Sequence, residues 1–203
     1  MMRLPSPEAV LDYWIGATGE DASAIAQQNQ LWFEKSFATD KFIADTFVPL
    51  IAELAEGLAE YWAEQGPRER IAAIIALDQF SRNIFRSHAY SFIHDPLARR
   101  LMKDGLQRGD DKQLSETERI FYYITLEHSE SAADQDLSVA LFENLVEEAR
   151  PDFKPICTEI LGYANKHRDV IWQFGRFPHR NPILNRASTP EEQTYLAQPG
   201  AGF

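Results

Sequence analysis

The feature that most constrains the fold is a long apolar repeat between residues 42 and 62. Its members recur every three or four positions: Phe42, Ile43, Phe47, Leu50, Ile51, Leu54, Leu58 and Trp62. An α-helix places such a repeat on one side, whereas a strand would need alternation at every second position. We therefore expect one long amphipathic helix, capped by Thr39 at its start and bent at Pro49.

Helix start and stop signals separate similar patterns along the rest of the chain. Ser6-Pro7-Glu8 and Asp95-Pro96 each predict a capped helix start, and Ser115-Glu116-Thr117-Glu118 has the spacing of a capping box. Gly109 and Gly175 each follow a helical pattern, where a left-handed glycine ends a helix. Since no alternating run is long enough for a strand, the sequence predicts an all-α fold of about eight to ten helices, stacked as antiparallel hairpins.

The composition indicates one domain over residues 1–203 and excludes several classes of partner. With 31 acidic and 20 basic residues, the net charge of -11 disfavours nucleic acid or an anionic membrane as the main partner. The longest apolar run, at residues 71–77, is too short to span a bilayer, which takes roughly 20 residues. The single cysteine, Cys157, cannot form an internal disulfide, and no apolar signal sequence precedes Glu8. A cytoplasmic location is therefore expected.

Residues 174–182 combine charged side chains with the features of an ordered loop. The segment Phe174-Gly175-Arg176-Phe177-Pro178-His179-Arg180-Asn181-Pro182 carries two arginines and a histidine among aromatic rings. A solvated linker would not need the two phenylalanines, and a core helix would exclude the prolines. An ordered loop over a core is a common place for a binding site.

A second polar cluster, residues 78–86, continues a helix whose preceding two turns are apolar. Asp78, Arg82 and Arg86 are spaced four apart and therefore share one helix face. Asp78 and Arg82 form an attractive pair at this spacing. A solvated ladder of salt bridges is the simplest interpretation, but the apolar setting favours a half-buried position.

A third polar cluster, residues 126–135, is rich in carboxylates. If the helix continues through it, Glu127, Glu130 and Asp134 share a face, and like charges there need cations nearby. His128 or His179 could add a nitrogen ligand for a metal, but the spacing matches neither Glu-x-x-His nor His-Glu-x-x-His. We therefore predict no metal and expect arginines to supply the charge.

Common signatures of nucleophilic catalysis and of cofactor binding do not occur in the chain. It has no Gly-x-Ser-x-Gly, no Walker loop and no dinucleotide glycine fingerprint. Cys157 lies on an apolar helical stripe, which is typical of a packed thiol. The sequence predicts no cofactor and does not decide whether the protein is an enzyme.

The motifs together resemble the bacterial family known as domain of unknown function 924 (DUF924). The likeness covers nearly the whole chain, and its longest motifs are residues 77–86, 126–130 with 134–135, 174–181 and 188–192. The family pattern has Leu-Gly-Arg where this chain has Leu184-Asn185-Arg186. The resemblance implies an all-α fold of stacked helical hairpins, similar to tetratricopeptide-repeat folds, and it implies no activity.

The polar clusters allow two main interpretations. In the first, a pocket binds an anionic small molecule through residues of all three clusters: Asp78, Arg82, Arg86, Glu127, His128, Glu130, Arg176, His179 and Arg180. In the second, the same charges form an internal ion network and bind no ligand. By analogy with helical-repeat folds, a peptide or protein partner is a third possibility. An open cleft above the arginines would favour the first interpretation.

Overall fold

The computed structural model describes residues 3–202, which form helices joined by short loops. The helices are α1 (Pro7–Trp14), α2 (Ile25–Phe33), α3 (Phe37–Glu53), α4 (Ala59–Gln65), α5 (Pro67–Ile75), α6 (Ser81–Ile84), α7 (Asp95–Arg108), α8 (Glu116–Glu127), α9 (Ala132–Glu148), α10 (Lys154–Phe174) and α11 (Pro190–Leu196). Two π-helical segments, Leu54–Leu58 and Ala76–Phe80, join α3 to α4 and α5 to α6. Counted as continuous, these are nine helices with no strand across the described residues, which confirms the all-α prediction. The likeness to tetratricopeptide repeats stays a prediction.

Several predicted helix ends are confirmed, because the local capping chemistry is present. The hydroxyl of Ser6 accepts a hydrogen bond from the Ala9 amide, and Ser115 and Glu118 form the reciprocal capping box. Gly109 ends α7 with a φ of 75°. The left-handed backbone there favours glycine, as the sequence indicated.

Two predicted caps are wrong. Helix α3 begins after Ser36, whose hydroxyl accepts a hydrogen bond from the Thr39 amide at 3.3 Å, so Thr39 lies inside the first turn. Helix α7 begins at Asp95 itself, with His94 before it, and the Asp95 side chain bonds elsewhere.

The long amphipathic helix is present, but its irregularity lies downstream of the proline. Pro49 lies inside α3, whereas Gly57, in the π-helical segment Leu54–Leu58, has a φ of 117°. Glycine alone adopts such a value without strain. The backbone therefore departs from helical geometry at Gly57 rather than at Pro49.

The core is centred on α5 and the π-helical segment Ala76–Phe80. Helix α5 contacts α1, α4, α7 and α8, and all five residues of the π-helical segment are buried. The centre of the Phe80 ring lies 4.5 Å from the ring centre of Phe47 and 5.5 Å from that of Trp14. Helices α8, α9 and α10 pack side by side next to this centre.

None of the helices within residues 3–202 is long and apolar enough to cross a bilayer.

Candidate functional site

The π-helical segment Ala76–Phe80 carries Asp78 into the interior, where its side chain is 1% exposed. Its carboxylate accepts hydrogen bonds from Gln79 Nε2 (2.6 Å) and Arg82 Nη1 (2.9 Å) and lies 2.8 Å from His128 Nδ1. Burial alone would raise the pKa of Asp78, but Arg82 and His128 hold it well below its usual value. Asp78 is therefore an ionised anchor for both side chains.

Arg82 joins two buried carboxylates. Besides bonding Asp78, its two terminal nitrogens donate to the two oxygens of Asp95, each at 2.9 Å. Burial alone would lower the pKa of Arg82, but the two carboxylates raise it above its usual value. The predicted pair of Asp78 and Arg82 is confirmed, and its surroundings are those of an ion network.

Arg180 is buried in a different way. The residue is 7% exposed, and its guanidinium carbon lies 4.5 Å from the ring centres of both Phe92 and Phe177. Its Nη1 donates to the His128 carbonyl at 3.0 Å. No ion pair within residues 3–202 includes Arg180, and its buried Nε has no hydrogen-bond partner there. Burial and the positive charge of Arg82 lower the pKa of Arg180 to about 10, so it stays charged near neutral pH.

Arg180 lines a cavity of about 350 Å³ between the end of α6, the loop after it and residues 178–183. The basic and imidazole side chains that line this cavity are Lys35, Arg82, Arg86, His128, His167, His179 and Arg180. Among the described residues, no aspartate or glutamate lines it. Hereafter it is called the cationic cavity. A concave surface with several positive groups concentrates anions, even on a protein whose net charge is -11.

The three histidines of the cationic cavity are uncharged near neutral pH. Burial lowers the pKa of His167 to about 3, and burial together with Arg180 lowers that of His179 to about 4. Burial and Arg82 also lower the pKa of His128. Because ionised Asp78 accepts the Nδ1 proton of His128, the second ring nitrogen is the acceptor. In the described part of the chain, no group of three or more His, Cys, Asp or Glu side chains is placed to hold a metal ion.

Four of the predicted site residues do not line this cavity: Asp78, Glu127, Glu130 and Arg176. The last two fasten the loop at residues 174–182 instead. Arg176 makes a two-point ion pair with Glu192 of α11, at 2.6 and 2.8 Å. Glu130 pairs in the same way with Arg186, at 2.7 and 2.9 Å, and accepts a hydrogen bond from the Phe177 amide. These bonds hold the two ends of the segment that presents Arg180.

The expected row of three carboxylates on one helix face is not formed. Helix α8 ends at Glu127, and Asp134 lies on α9, where it pairs with Lys103 and Arg99. Arg99 and Lys103 supply the counter-charge of Asp134, and Arg186 supplies that of Glu130. The sequence had offered a different set: Arg82, Arg86, Arg176 and Arg180. Arg86 lines the edge of the cationic cavity and pairs with Asp40 at 2.6 Å, rather than continuing the Asp78 ladder.

Sequence reasoning missed several residues of the site. The sequence places Asp95 at a predicted helix cap, and neither Lys35 nor Phe92 lies in a polar cluster. In contrast, Asn185 was a visible departure from the family pattern. Its φ of 53° keeps the left-handed turn that a glycine would make, since asparagine tolerates this region better than most residues.

The pattern of a bacterial family of unknown function, DUF924, matches residues 10–200. A solved structure of a protein of unknown function from Agrobacterium tumefaciens is similar, with 34% sequence identity and a TM-score of 0.77. That match covers 94% of this chain and 96% of the other. None of the curated proteins gives a match.

Proposed function

The chain belongs to the DUF924 family of bacterial proteins of unknown function, and we propose its function from the cationic cavity. This cavity binds a small anionic molecule, whose carboxylate or phosphate is held by Arg180. The observation that carries this proposal is a buried, charged arginine that lines the cavity and has no carboxylate partner within residues 3–202.

The energetics of a buried charge favour a missing anion. Removing an ion from water costs several kcal/mol, and this cost is offset when an opposite charge lies close by. Arg82 and Arg176 have such partners, whereas within residues 3–202 the Arg180 guanidinium contacts a carbonyl and two rings but no carboxylate. A bound anion would supply the missing charge and could accept a hydrogen bond from the unsatisfied Nε.

The surroundings suit a ligand with two oxygens in one plane. A guanidinium group recognises carboxylate or phosphate through paired hydrogen bonds, which a lysine cannot reproduce. Phe92 and Phe177 flank the Arg180 guanidinium and keep water from it, which strengthens such bonds. Lys35, in the exposed loop after α2, would attract the anion towards the cationic cavity.

The proposal is tested by titrating the protein with phosphate and with acetate, at constant ionic strength maintained with chloride. We expect binding heat and a rise in melting temperature with at least one of the two anions. Arg180→Met should weaken that binding by tenfold or more, since a hydrogen bond to a charged group contributes about 1.5–3 kcal/mol.

Arg168→Met is the matched control. Arg168 also stacks at 4.5 Å over an aromatic ring, that of Trp172, and its removal changes the net charge equally, but it does not line the cationic cavity. The control should bind anions as the wild type does. Equal weakening in both variants, or no response of the wild type to either anion, would contradict the proposal.

A further inference from the structure

A second cavity, of about 600 Å³, shares two side chains with the cationic cavity. His128 and His167 line both, so the two cavities adjoin at these side chains. Apolar side chains from α2, α8 and α10 line much of the second cavity: Ala26, Phe33, Ile124, Ile160 and Tyr163. We call it the apolar cavity.

The charged side chains of the apolar cavity have the opposite sign from those of the cationic cavity. Glu34 and Glu159 line it, besides the buried Glu127, and among the described residues no lysine or arginine does. A negatively charged group is therefore repelled from the apolar cavity and attracted to the cationic one. This polarity fixes the direction in which an elongated anion could lie across the shared histidines.

Glu127, which lines the apolar cavity, has one oxygen without a hydrogen-bond partner among the described residues. The side chain is about 2% exposed, and its Oε2 lies 3.2 Å from His167 Nδ1. Its other oxygen, Oε1, is buried without a hydrogen-bond partner within residues 3–202. Burial and the charge of Asp78 raise the pKa of Glu127 well above its usual value, so the group keeps its proton.

The proton of Glu127 belongs on Oε1. His167 is uncharged, and its Nδ1 lies 2.9 Å from the Tyr163 carbonyl, so Nδ1 carries a hydrogen that points towards acceptors. Oε2 can share that hydrogen as an acceptor, which leaves Oε1 to carry the hydroxyl. A buried hydroxyl donor without an acceptor is destabilising, and a ligand oxygen would satisfy it.

We propose that the two cavities form one site for an amphipathic anion. Its carboxylate or phosphate lies against Arg180, and its apolar chain or ring lies in the apolar cavity, where Glu127 donates a hydrogen bond to an oxygen on it. This inference rests on the proposed function and names the class of ligand for the same site.

A series of straight-chain carboxylates, from acetate to octanoate, tests the apolar half. Each methylene that enters the apolar cavity should tighten binding about fourfold, from roughly 0.8 kcal/mol per buried CH₂. If acetate binds and affinity does not increase with chain length, the inference is overturned while the proposed function stands. If phosphate binds but no carboxylate of the series does, the inference is overturned while the proposed function stands. If neither phosphate nor any of the carboxylates binds the wild type, the proposed function and this inference both fail.

Ala26→Trp distinguishes filling of the cavity from adhesion to other apolar surface. Ala26 is exposed on α2 and lines the apolar cavity, so a tryptophan there can occupy the cavity from its rim. The variant should bind acetate as the wild type does and lose the advantage of octanoate. Ala52→Trp, at an exposed position of α3 outside both cavities, is the control and should keep it.

The role of Glu127 is tested with a series of oxo-octanoates, one for each position of the carbonyl. At least one should bind the wild type more tightly than octanoate does. Glu127→Gln keeps a donor and should retain that preference, whereas Glu127→Met should lose it but retain the dependence on chain length. No preference in the wild type, or an unchanged preference in Glu127→Met, would remove Glu127 from the site.

Discussion

Arg176 and Arg180 lie four residues apart on one loop, in opposite surroundings. The side chain of Arg176 is 29% exposed and makes a two-point pair with a buried glutamate, Glu192. Arg180 is almost fully buried, stacks between two rings and pairs with no carboxylate among residues 3–202. In the described part of the chain, the more exposed arginine thus has a carboxylate partner and the buried one has none.

This difference shows that an ion network and a candidate binding site can share a short segment. The network interpretation describes Arg82, Arg86 and Arg176, each of which pairs with an aspartate or glutamate. The pocket hypothesis now depends on Arg180. Stability and anion binding should therefore respond differently to changes at the two ends of the loop.

Of the changes considered, Arg82→Met should lower the free energy of unfolding the most. It leaves Asp78 and Asp95 buried without their shared cation, so the free energy of unfolding should fall by about 3–5 kcal/mol. Urea denaturation at pH 7 measures it. A loss below about 1 kcal/mol would mean that this pairing contributes little and would weaken the distinction between paired and unpaired arginines.

Glu127→Gln extends the comparison from the buried arginines to a buried carboxylic acid. The unfolded chain loses this proton near pH 4.5, whereas the folded protein keeps it to higher pH, so the group destabilises the wild type as pH rises through that window. The free energy of unfolding of the variant, minus that of the wild type, should increase by about 1.4 kcal/mol per pH unit there. Urea denaturation between pH 4.5 and 7 checks this, and a difference that does not change with pH would contradict it.

Arg176→Met should lower the local stability of α11. Glu192 would keep its bonds to the Thr189 amide and to Asn181 but lose both bonds to the guanidinium. We expect faster hydrogen exchange in Pro190–Leu196, with anion binding retained. Loss of anion binding at unchanged exchange would place Arg176 with Arg180 and end the contrast between them.

Arg180→Met should have the smallest effect on stability. Methionine retains apolar packing between Phe92 and Phe177 and removes a desolvated charge, so the free energy of unfolding should stay within about 1 kcal/mol of the wild type or increase. The melts should be done in chloride alone. A loss of several kcal/mol would show that Arg180 is a structural residue like Arg82.

The sequence predicts the parts of this molecule that depend on near neighbours. The capping box at Ser115 and the pair of Asp78 with Arg82 both involve residues three or four apart, and both are confirmed. Their chemistry is local, so a helical pattern is enough to place them.

The sequence does not predict contacts that depend on how helices pack. Asp95 meets Arg82 across 13 positions, and Glu130 meets Arg186 across 56, so neither pair has a local signal. The sequence also does not show that α8 ends at Glu127. Because the helix ends there, Glu130 and Asp134 lie on separate elements and pair with different residues. The cationic cavity results from such long-range packing, and only its residue types were visible beforehand.

The π-helical segment Ala76–Phe80 amounts to one additional amino acid inside a helix. Deleting one residue there would restore an ordinary α-helix and rotate everything that follows by about 100°. Arg82 would then leave the side on which it meets Asp95 of α7. One additional residue therefore lets the helix that fills the core also carry a charged face towards the cationic cavity.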